Sequence, residues 1–185
     1  IPFAMVRRFE SLREEAVARA CLTLAVVAHP NWGLRPQTYD VGEALELALA
    51  PLDPVRGGLA AGYLYDEKGG GLFSSQKLSI EIQERLGIEF LERYERLRDW
   101  LETYRRGETI AFDHFLRRLF GEVLSTPDLS PEEASVYSKL IASANSFRQV
   151  GPAMGLAGKE LGRHYFEMVL LGVVAGQYLT EQDID

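Results

Sequence analysis

At 185 residues and 46% hydrophobic, the chain can bury a proper core as one domain or a fused pair of small ones, and 25% charged residues argue against wholesale disorder. A formal charge of −7 argues against a domain built to coat nucleic acid, while leaving room for a local basic patch. The single cysteine, Cys21, excludes a disulfide within the chain and favours an intracellular, cytoplasmic setting.

The first residues lack a basic start followed by an apolar run, so no signal peptide is expected. Ile1-Pro2-Phe3 reads as the tail of a strand, with Ile1 to Val6 as its remnant, and Arg7 to Ser11 as a polar turn. An amphipathic helix follows, with Val17, Ala20, Leu24 and Val27 on one face at helical spacing. It stops at His29-Pro30, because proline biases the residue before it away from helix. Asn31 to Tyr39 is a loop whose Trp32 reads either as a plug at the edge of the core or as a stacking platform. A short helix from about Asp40 turns Val41, Ala44, Leu45 and Ala48 inward and ends at Pro51.

Asp53-Pro54 restarts the helix, an acid at the cap and proline in the first turn, with Val55, Leu59 and Tyr63 as its buried face. Asp66 to Lys77, with three consecutive glycines and two serines, reads as a mobile loop. Leu78 to Leu86 is a short helix closed by Gly87. The clearest helix comes next, with Phe90, Tyr94, Leu97, Leu101 and Tyr104 at alternating spacings of four and three, flanked by Glu–Arg pairs four apart such as Glu89 and Arg93. Gly107 breaks it. Thr109 caps a further helix with the stripe Phe112, Phe115, Leu116, Leu119 and Val123.

Ser130-Pro131-Glu132-Glu133 is a capping box that opens another helix, carried by Ala134, Tyr137, Ile141, Ala144 and Phe147. Gly151 to Gly158 is a loop. A last helix runs from about Lys159 to Leu179 with Phe166, Val169, Leu170, Val173 and Val174 inward. Its most apolar part, Met168 to Ala175, falls far short of the roughly 20 residues a membrane span needs. These elements define an all-α fold, a compact irregular bundle of about seven or eight helices forming one domain over 1–185. Because the chain starts at Ile1 in mid-pattern, it is expected to be a fragment of a longer protein.

Chemistry-bearing motifs are scarce. GPAMGLAGKE (151–160) departs from a phosphate loop, since Ala153 stands at the first glycine and Glu160 at the magnesium-binding hydroxyl. His29, His114 and His164 have no metal-ligand spacing. Cys21 lies on an apolar stripe and reads as core rather than nucleophile. The arginine doublets Arg7-Arg8, Arg105-Arg106 and Arg117-Arg118 are either solvated surface or phosphate contacts. With Trp32 they are the candidate nucleic-acid-binding residues; no catalytic, cofactor or metal residue stands out.

The opening stretch, IPFAMVRRFESLREEAVARACLTLAVVAHPNWG, resembles the junction in UvrD-like superfamily 1 helicases and related recombination helicase-nucleases where a strand of the second motor domain leads into the helical 2B insert. Ile1-Pro2-Phe3 matches the strand end, Phe9 the aromatic turn residue, and Glu15 with Val17 the start of the first insert helix; Arg7-Arg8 stand where the family has a glycine pair. The match covers about the first 30 residues. The resemblance implies a non-catalytic accessory domain whose partners are the motor domains of the parent chain, with DNA as a further partner and no membrane. ATP and magnesium would belong to those motor domains, not to this fragment. A helical protein–protein interaction module is the alternative, and suits the acidic balance.

Overall fold

The computed structural model describes residues 16–49, 54–106, 112–124, 131–155, 160, 163 and 164. It is mostly helical. Among the described residues seven α-helices occur, α1 (Ala16–Ala28), α2 (Thr38–Ala48), α3 (Pro54–Leu64), α4 (Ile80–Leu86), α5 (Ile88–Arg106), α6 (Phe112–Arg118) and α7 (Pro131–Val150). The only strands described are β1 (Tyr65–Asp66) and β2 (Gly71–Leu72), an antiparallel hairpin pairing Tyr65 with Leu72 and Asp66 with Gly71. The strand expected at Ile1 to Val6 lies outside the described residues, as do nearly all of the expected last helix and the caps at Asp53, Thr109 and Ser130. Among the described residues no helix is long and apolar enough to cross a membrane.

Internal contacts divide the chain into two compact units, one of Ala20–Thr109 and one of Ile1–Arg19 with Ile110–Asp185. The boundary falls within α1. From Ala20 on that helix is buried on all sides: besides the expected Val17, Ala20, Leu24 and Val27, the run from Cys21 to Ala28 is buried throughout, while Ala16 is exposed and Arg19 half-buried. A near-continuous apolar sequence, rather than a stripe, is what such a helix requires.

In the unit of Ala20–Thr109, α5 presents the five expected side chains, Phe90, Tyr94, Leu97, Leu101 and Tyr104, to the core. Below it α4 buries Ile82 and Leu86, starting at Ser79, whose hydroxyl accepts from the Ile82 amide, and ending at Gly87. Gly87 takes φ +89°, a conformation that side chains disfavour, and so allows α5 to begin one residue later in a new direction. α2 starts two residues before Asp40, with Gln37 and Asp40 forming a reciprocal capping box, and buries Val41, Ala44, Leu45 and Ala48 as expected.

Two expectations are corrected in this unit. On α3 the buried face is not Val55, Leu59 and Tyr63: Val55 is 74% and Tyr63 50% exposed, and Leu59 is half-buried. Gly57, Ala60, Ala61 and Leu64 face inward instead. They share the helical period, and all but Leu64 are small, which lets α3 lie close against α2. A Cβ added at Gly57 would stand 2.7 Å from the Gly42 carbonyl oxygen, and one at Gly42 would stand 3.3 Å from the Gly58 Cα. Size-weighted periodicity points to the wrong face wherever close backbone approach, rather than bulk, fills the interface.

The second correction concerns Asp66 to Lys77, read as a mobile loop. It forms the hairpin and a 3-10 turn, Ser75–Lys77, and is tied down at many points. Gly70, at φ +71°, closes the hairpin, and its amide donates to the Asp66 carbonyl at 2.6 Å. The Tyr65 hydroxyl donates to the Pro36 carbonyl (2.6 Å), and Thr38 donates through amide and hydroxyl to Glu67. From α5, the Tyr94 hydroxyl donates to the Phe73 carbonyl (2.7 Å), and Glu95 accepts from the Ser75 amide (2.6 Å). Burial pushes the Tyr94 phenol well above its ordinary pKa, so it stays a donor at any ordinary pH.

In the other unit α6 packs on α7, and α6 runs on into a π-helical segment, Leu119–Leu124. Phe115, Leu116 and Leu119 from the expected stripe are fully buried, with Leu140, Ile141 and Ala144 of α7. α7 begins at Pro131, where the capping sequence puts it. Gly151–Met154 forms a single 3-10 turn after α7.

Candidate functional site

Among the described residues, a set of polar and aromatic side chains gathers where α5 ends, α1 ends and the hairpin turns. At its centre is Arg105. Its Nη1 donates to the Val27 carbonyl (2.5 Å) in the last turn of α1 and to the Gly70 carbonyl (3.1 Å) in the hairpin, while Nε lies 3.3 Å from Glu102 Oε1. The side chain is 18% exposed. The last carbonyls of a helix lack intrahelical donors and carry the negative end of its dipole, so a guanidinium is well suited to them.

His29 serves the same helix end. Its Nδ1 donates to the Ala25 carbonyl at 2.7 Å, and its buried ring stacks on Trp32 with centroids 4.6 Å apart and planes 9° from parallel. Tyr104 lies 6.4 Å from the imidazole and 4.8 Å from Trp100, which extends the aromatic cluster along α5. Burial lowers the His29 pKa from its ordinary value, with the bond to Ala25 opposing in part. The ring is therefore held neutral. Trp32 is 3% exposed, the plug of the two alternatives.

Of the candidate phosphate contacts, Arg105 is thus committed to two carbonyls and a carboxylate within its own unit. Arg106 is the last residue of α5, and its side chain is not described; Arg7 and Arg8 lie outside the described residues. Arg117 and Arg118 are exposed on α6, where Arg118 pairs with Glu122 at 3.0 Å. Trp32 and Arg105 are brought into one neighbourhood, with His29 stacked on the indole and Tyr104 beside it in the chain of rings.

Groups that could carry catalysis are few. Among the described residues no three of His, Cys, Asp and Glu come together as a metal site. His114 is exposed on α6, and exposed His164 has Nδ1 3.2 Å from the Glu160 carbonyl. Cys21 is fully buried, and burial raises its thiol pKa to about 12, so it stays protonated and unreactive. Of the glycine-rich stretch 151–160, the described part is the 3-10 turn, Gly155 at φ +79° and an exposed Glu160.

One surface feature has no counterpart among the expectations. An open groove of about 550 Å³ runs between α4 and α5, lined by Ser75, Gln83, Ile88, Leu91, Glu92, Glu95 and Arg96. Ile88 is 78% exposed there, while Glu95 is occupied by Ser75 and Arg98 and Gln83 donates to the Leu78 carbonyl. The signal in the sequence was Gly87, which reads as a helix stop but also turns two helices against each other and opens the space between them.

Fold and site together define a mostly helical protein whose best-defined polar cluster serves internal ties. No family model, curated protein or solved structure matches the chain.

Proposed function

We propose that this chain is a non-catalytic helical accessory insert of an ATP-dependent DNA helicase or recombination protein, of the UvrD-like kind its opening stretch resembles. The observation that carries the reading is that stretch, from Ile1-Pro2-Phe3 through Phe9 to Glu15 and Val17, leading into the helix α1. The mostly helical build supports it. In this reading the insert packs on motor domains that hold ATP and magnesium, limits their opening, and meets DNA phosphates through exposed arginines, Arg117 and Arg118 first among those described.

A second reading, a helical protein–protein interaction module without nucleic-acid binding, is favoured by two observations. Trp32 is buried, and Arg105 is committed internally. The overall charge of −7 points the same way.

Anisotropy of labelled forked DNA, titrated with the 185-residue chain, separates the two. The insert reading expects binding at about 20 mM salt that drops steeply by about 200 mM, as released counterions demand, and that weakens when Arg117 and Arg118 are both changed to Ala. No binding at the lowest salt sinks the DNA contact and favours the interaction module. The chain by itself is expected to hydrolyse no ATP; turnover by a clean preparation would overturn the accessory assignment. In the parent gene, a phosphate loop upstream and an arginine-bearing motor motif downstream are expected.

A further inference from the structure

We draw no further inference here: the strongest candidate, the open groove between α4 and α5 with Ile88 exposed at its edge, is an unpartnered face, and nothing in the structure shows what covers it.

Discussion

Arg105-Arg106 and Arg117-Arg118 are the same dipeptide near the end of a helix, and in sequence nothing distinguishes them. In the structure they part company. Arg105 reaches two backbone carbonyls 78 and 35 residues away and holds the end of α1 and the hairpin turn to the end of α5. Arg118, 54% exposed, pairs with Glu122 four residues on. The difference lies in what each guanidinium can reach. Where backbone carbonyls of a helix end and a turn converge, an arginine becomes an internal clamp; where they do not, it stays at the surface.

The largest expected effect breaks the clamp. Arg105→Ala leaves the Val27 and Gly70 carbonyls without their charged donor, and at about 1.5 kcal/mol for each such bond the unit should lose about 3 kcal/mol. Both tryptophans, Trp32 and Trp100, lie in the unit of Ala20–Thr109, so tryptophan emission, excited where tyrosine does not absorb, reports that unit in a urea titration. The midpoint should fall with little change in slope. Arg105→Lys, which keeps the charge but not the fork, should recover part of the loss. A midpoint for Arg105→Ala within error of the parent would show that the clamp holds nothing.

Glycines offer the same contrast one step down. Gly57 and Gly62 sit five residues apart on α3, yet a Cβ would strike the α2 backbone at the first and meet nothing within 4 Å at the second. Gly57→Ala should therefore destabilise by about 1–3 kcal/mol through overpacking. Gly62→Ala, within a helix, should stabilise by roughly 0.5–1 kcal/mol. Equal shifts of the same sign in the two urea midpoints would mean that α2 and α3 are not in backbone contact.

These pairs show which parts of the fold could be read in advance. The α5 stripe was legible because five large side chains repeat at helical spacing, and the start of α7 because proline suits a first helical position. The inward face of α3 was not, because hydrophobic periodicity counts large residues and that interface is made by small ones. The hairpin escaped because strands of two residues are too short to alternate, so three glycines dominated the reading of 66–77. Arg105 escaped for a different reason: its partners are backbone carbonyls, which no side-chain pattern records. Trp32, in the loop Asn31 to Tyr39, left both a core plug and a stacking platform open in the sequence, and its burial settles on the plug.

A smaller effect concerns His29 and pH. His29 is buried and its folded pKa lies below the ordinary 6.5, so both states are neutral at higher pH and its contribution is fully present there. As pH falls below 6.5 the unfolded chain takes the proton first, and stability declines until the lower folded value is passed. Between about pH 7.5 and about pH 5.5 the urea midpoint should therefore drop by less in His29→Gln than in the parent. The amide can still donate to the Ala25 carbonyl, which keeps the variant folded. An unchanged slope in His29→Gln would mean that the imidazole titrates as it does in water.

The smallest expected effect returns to the second doublet. The Arg118–Glu122 pair is exposed on both sides, 54% and 44%, and pairs of this kind contribute about 0.3–0.5 kcal/mol. Circular dichroism of Arg118→Ala should therefore show a melting curve nearly superimposable on the parent's. A loss as large as that of Arg105→Ala would reveal Arg118 as a second clamp and remove the contrast between the doublets. Near-silence in stability is also what a phosphate contact requires. The Arg118 guanidinium is exposed beside an exposed carboxylate, whereas Arg105 would have to abandon two carbonyls to meet a phosphate. In the DNA titration, Arg117 and Arg118 should therefore account for most of whatever salt-dependent binding the described residues supply.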